Sequence, residues 1–270
     1  MQRHVRLFLT LMLIALGVRA GAYTVPYESW MGAYIGEKKV GYLSFKVEKS
    51  ELDGIKGYRI SSVLNNRLTV LGADLTQLVT TVVYTDSKYA PLKEDFAMSS
   101  GGRTTAIRAV FKKDKVECTI SPGSGSSTQT VPIPNGVSQV GDALFATPDS
   151  HPEVGKEYNL HYFNPLTLSI DRLCIKAEGK EKVKVGDSEF DTIVLRNITS
   201  MGDMTVWQEA NGDVVKLKAM MGITMVRQDK ATAMSGIEAG TKQDFAVQTS
   251  VKTDKEIPHP RELKELDHAL

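Results

Sequence analysis

From Glu28 onward, apolar and polar residues alternate in short runs broken by turn residues, and long helical periods are rare. Side chains of a strand point to opposite faces in turn, so this period of two predicts half-buried strands. Runs at Ser29–Gly36 and Val40–Leu52 flank Glu37-Lys38-Lys39, and Asp53-Gly54 turns the chain into Lys56–Leu71. These read as hairpins. Strands are expected next at Leu75–Tyr84, Leu92–Met98, Thr104–Lys112 and Lys115–Ile120, divided by Asp86-Ser87, Gly101-Gly102 and Asp114. A meander is the simplest order.

The Ser/Gly/Pro-rich stretch Ser121–Gly136 reads as a loop. Val137, Val140 and Leu144 then recur at helical spacing until Pro148, which predicts one short helix. A second strand series is expected at Tyr158–Phe163, Leu166–Ala177, Lys182–Val185, Phe190–Thr199, Asp203–Glu209, Val214–Ala219 and Ile223–Arg227. Asn211-Gly212 between two β-prone runs is the strongest hairpin signal in the chain. The fold class expected is therefore all-β: an antiparallel meander closing into a barrel or curved half-barrel of two similar halves, with one or two short helices. A two-sheet sandwich is the alternative.

The N-terminus changes the picture of where the chain works. Arg3, His4 and Arg6 precede an apolar run from Leu7 to Val18, followed by Arg19-Ala20-Gly21-Ala22 with small residues where a signal peptidase reads. The run falls short of the roughly 20 residues that span a bilayer, so cleavage after Ala22 is expected, leaving no transmembrane anchor. The expected organisation is a signal peptide over 1–22, one exported domain over 23–250 and a polar tail or linker over 251–270. Export implies the periplasm or the extracellular space. Losing Arg3, Arg6 and Arg19 moves the formal charge from +1 to −2, which offers no field for nucleic acid.

The segment Trp30-Met31-Gly32-Ala33-Tyr34-Ile35-Gly36-Glu37-Lys38-Lys39-Val40-Gly41-Tyr42 resembles the opening of the region that precedes the catalytic domain in some secreted bacterial transglutaminase-like proteins. Val183-Lys184-Val185-Gly186 through Phe190-Asp191-Thr192, and Trp207 through Lys216, resemble the second half of such regions. Ile257-Pro258-His259-Pro260 resembles the connector into the catalytic part, and the same rhythm occurs in exported bacterial β-barrel domains of unknown function. The resemblance implies an accessory module with the enzymatic Cys, His and Asp lying beyond Leu270. Three readings stay open: a non-catalytic module binding an apolar small molecule or an envelope protein partner, the amino-terminal piece of a transglutaminase-like enzyme, and a structural envelope protein.

Candidate chemistry is sparse. Cys118, His151 or His161, and Asp171 occur in the order of a transglutaminase-like triad. A nucleophilic cysteine of that kind starts a helix, whereas Val116-Glu117-Cys118-Thr119-Ile120 is a strand pattern, so no catalytic residue is assigned. Histidines at 151, 161, 259 and 268 lack metal-ligand spacing, no phosphate loop is present, and no cofactor or metal is expected. Cys118 and Cys174 either pair as a disulfide in an oxidising compartment or stay unpaired with at least one buried; Cys118 lies on an apolar face and Cys174 alternates with Arg172 and Lys176. Met201, Met204, Met220, Met221, Met225 and Met234 crowd the second half. They fit ordinary core packing, an apolar cavity built on Met204, Met220 and Met225, or soft-metal binding.

Overall fold

A computed structural model describes residues 25–70, 73–123, 125–135, 137, 152–219 and 222–237. The first series of strands is β1 (Tyr27–Ile35), β2 (Lys38–Leu52), β3 (Ile55–Val70), β4 (Ala73–Asp86), β5 (Pro91–Ser100), β6 (Arg103–Phe111), β7 (Lys115–Ser121) and β8 (Ser127–Pro132). The second is β9 (Glu157–Asn164), β10 (Ser169–Val185), β11 (Ser188–Thr199), β12 (Gly202–Gln208), β13 (Val214–Lys218) and β14 (Ile223–Gln228), followed by a short helix at Lys230–Met234. The all-β class holds.

All fourteen strands form one antiparallel sheet in the order β8-β7-β6-β5-β4-β3-β2-β1-β14-β13-β12-β11-β10-β9. The expected antiparallel meander holds, with its two series of strands joined by a long-range pair. β1 lies against β14, with Met31 opposite Arg227 and Ala33 opposite Met225. Consequently β8 and β9, neighbours in sequence, are the two ends of the sheet, and no ladder joins them among the described residues.

One face of this curved sheet supplies the core. Along β2, Leu43, Phe45 and Val47 point inward; across the ladder they meet Leu64, Ser62 and Ile60 of β3. In the second series Leu195, Val206, Leu217 and Met225 form one cross-strand row that continues into Ala33. The outer face carries cross-strand ion pairs such as Arg108 with Asp95 and Arg196 with Asp203. This division of faces is what strict alternation requires.

Two further expectations change. Ser127–Pro132, inside the stretch read as a loop, is strand β8, because Ser, Thr and Gln on an exposed face give no apolar alternation to detect. The run expected at Leu166–Ala177, from Ser169 onward, and the run at Lys182–Val185 are parts of one strand, β10, interrupted only by a shift of register between Ala177 and Gly179. The extra residue of such a bulge bends a strand without ending it. The helix expected around Val140 and Leu144 lies outside the described residues, as do the signal peptide and the tail.

A candidate ligand-binding seam

At the ends of the sheet the alternation of faces takes on a second meaning. Tyr162 and Phe163 are adjacent on β9 and point to opposite faces, yet both are buried. Tyr162 belongs to the main core, packed with Leu173, Ile175 and Leu195. Phe163 belongs to a second cluster with Ala109, Val116, Cys118, Val131 and Ile133, with Phe111 and Ile170 packed against it. Ala109 and Phe111 come from β6, Val116 and Cys118 from β7, Val131 from β8 and Ile133 from just after it, while Ile170 stands opposite Phe163 on β10. The sheet therefore rolls past itself: the end of β9 lies inside, under the β6–β8 end.

The overlap is held by side chains. Phe111 meets Phe163 edge to face with ring centroids 5.7 Å apart, a geometry that matches the positive ring edge to the negative ring face. A hydrogen-bonded net fixes the neighbouring β9–β10 turn. Asn164 donates to Asp171 at 2.8 Å, Ser200 donates to the same Asp171 oxygen at 3.1 Å, and the Leu166 amide donates to Asn164 at 3.0 Å. The other end of the second series is tied by charge. Arg227 pairs with Glu209 at 2.6 Å and stacks 4.4 Å from the Phe190 ring, while the Tyr27 hydroxyl donates to Asp213 at 2.8 Å. Burial first, and the Asp213 hydrogen bond second, push the Tyr27 phenol well above its ordinary range.

Behind the seam lies Glu94, 1% exposed on the inner face of β5. It stands opposite Ala109, which in turn stands opposite Cys118. Burial, and then the negative charge of Glu94, push the Cys118 thiol up to about 11. That is the reverse of what a nucleophile needs. His161 stands opposite Arg172 and Asp171 opposite Tyr162, so His161 and Asp171 point to opposite faces of β9 and β10. The Cys, His, Asp order does not become a triad; His151 lies outside the described residues.

Cys118 and Cys174 are both free thiols, Cys118 buried and Cys174 partly exposed. Met204 and Met225 are 4% and 0% exposed within the main core. Across the ladder Met204 stands opposite Asn197 and Met225 opposite Leu217. Met220 lies outside the described residues. Among the described residues no three His, Cys, Asp or Glu side chains converge to hold a metal. Phe111, Ile133, Phe163 and Ile170 were invisible as a group in the sequence, because periodicity reports which face a residue takes and not which distant strand covers it.

The comparisons agree with this architecture. The crystal structure of a β-barrel-like protein of DUF1849, a domain of unknown function, from Brucella abortus is similar in fold, with a TM-score of 0.50 and 12% identity, over 78% of this chain and 96% of that one. No curated protein matches the chain. The model of the family described as protein of unknown function (DUF3108) matches residues 23–227. The chain belongs to the DUF3108 family.

Proposed function

We propose that this protein is a non-catalytic exported module that takes up an apolar ligand at the seam between β6–β8 and β9–β10, in the setting of proteins that carry transglutaminase-like domains. The observation that carries the reading is the packing of Phe163 of β9 into a cluster with Phe111, Val131 and Ile133 from the opposite end of the fourteen-stranded sheet, where no backbone ladder joins β8 to β9 among the described residues. Separating two apolar surfaces exposes area at about 25 cal/mol per Å², and an apolar ligand entering between them returns that cost. Separating a ladder would instead strand backbone donors and acceptors. The signal-like N-terminus supports export, and the resemblance of segments 30–42 and 183–216 supports the transglutaminase-associated setting.

The test places a reporter in the seam. In a Phe163→Trp variant, a brominated fatty acid is expected to quench the introduced indole saturably, whereas Trp30 and Trp207 of the parent, on the outer face, are not quenched in a saturable way. Absence of saturable quenching in a variant that melts as the parent does would remove the reading.

A further inference from the structure

We propose that β8 is a self-pairing edge through which two copies of this chain join their sheets about a two-fold axis centred on Gln129. The inference is independent of the seam and its ligand. It begins with the direction of backbone groups. The Ile133 amide donates to the carbonyl of Asp114 at 2.8 Å, pointing toward β7. Residues of an antiparallel strand alternate between facing one neighbour and facing the other. The β7–β8 register runs from Lys115 opposite Pro132 to Ile120 opposite Ser127 without a shift. Val131, Gln129 and Ser127 therefore share the direction of Ile133, and Thr128, Thr130 and Pro132 turn their backbone groups away from β7. Proline, which lacks an amide hydrogen, sits in the outward set, where an edge strand accepts it.

Edges of this kind are normally defended by charge. The outer faces of the neighbouring strands β5, β6 and β7 carry Lys93, Asp95, Arg108, Lys115 and Glu117 in ion pairs. From Cys118 to Gly141 there is no Asp, Glu, Lys or Arg, and Ser127, Thr128, Gln129 and Thr130 are exposed. Two such edges brought together antiparallel meet no like charge. The register that matches outward backbone groups sets Thr128 against Thr130 of the second copy, with Gln129 against itself between them. Threonines facing across strands are a favourable pair. At the other end of the sheet, β9 buries Tyr162, Phe163 and Asn164 and ties Glu157 to Lys176, so the pairing is β8 with β8 and closes as a dimer. It does not propagate as a fibre.

A cross-link reads the register directly. Gln129 and its copy form a pair not bridged by hydrogen bonds, with α-carbons about 4.5 Å apart, inside the range a disulfide spans. In a Cys174→Ser background, Gln129→Cys is expected to give a disulfide dimer under mild oxidation at least tenfold faster than Ser87→Cys, an exposed position away from β8. Thr130→Pro deletes an amide that points outward and not toward β7, so it is expected to melt as the parent does while abolishing the cross-link in the Gln129→Cys background. Cross-linking of Gln129→Cys no faster than Ser87→Cys, or its persistence in a folded Thr130→Pro variant, would overturn the proposal.

Discussion

Phe111 near the end of β6 and Phe163 near the end of β9 touch edge to face at an interplanar angle of 88°, although their strands lie toward opposite ends of one sheet. Phe163 is buried on a strand whose neighbour in sequence, Tyr162, is buried on the other side. One ring thus carries the inside of one layer and the outside of the next. Phe163→Ala is expected to destabilise the protein by about 3 kcal/mol, the usual cost of emptying a buried phenylalanine site, and Phe111→Ala by less, since it is only partly buried. Hydrogen exchange should show β9 losing protection before β2 and β3 do, which calorimetry and exchange on the same variants check.

The methionines give the opposite expectation for binding. Met225 sits in the row Leu195, Val206, Leu217, Met225, Ala33. Met225→Leu keeps volume and polarity and is expected to cost less than about 1.5 kcal/mol. Met225→Asp or Met204→Asp buries a carboxylate without a partner and is expected to cost several kcal/mol or to prevent folding. Thermal melts of the leucine and aspartate variants separate these outcomes.

Cys118 makes stability depend on alkaline pH. Its thiol is raised from 9.0 to about 11 in the folded protein, so above pH 9 the unfolded chain releases a proton that the folded chain retains. The contribution is complete below pH 9 and is lost as pH rises from 9 toward 11. Cys118→Ala is expected to show a shallower fall of melting temperature across that window than the parent. The same burial predicts that a maleimide at pH 8 labels Cys174, which is partly exposed, before Cys118.

Gly41 is required by a close approach of two strands. A Cβ at this position would lie 2.0 Å from the Asn65 carbonyl oxygen and 2.4 Å from Oδ1 of Asn66. Both contacts are too short to survive, and one of them is backbone, so β2 and β3 would have to separate where Gly41 faces Asn66. Gly41→Ala is expected to destabilise by about 1–3 kcal/mol, the range of overpacking. Gly36→Ala meets no atom within 4 Å and pays only for its φ of +58°, so the two melts should differ clearly.

The class of the fold was determined by the chain's local pattern. Alternation along Val40–Leu52 selects the face carrying Leu43, Phe45 and Val47, and Asn211-Gly212 joins β12 to β13, because strand faces and tight turns are decided by residues a few positions apart. The strand setting of Cys118 was likewise legible. Tertiary structure alone decided that Met31 of β1 meets Arg227 of β14, that Cys118 and Cys174 stay apart, and that Phe163 is covered by Phe111 and Ile133. These contacts join segments far apart in the chain. Their selection follows from how the whole sheet curves and which surfaces then remain to be buried, a property of the assembled strands that no local period records. Strand β8 shows the same limit in reverse: its Ser, Thr and Gln residues carry no apolar signal, and the ladder to β7 is what makes them a strand.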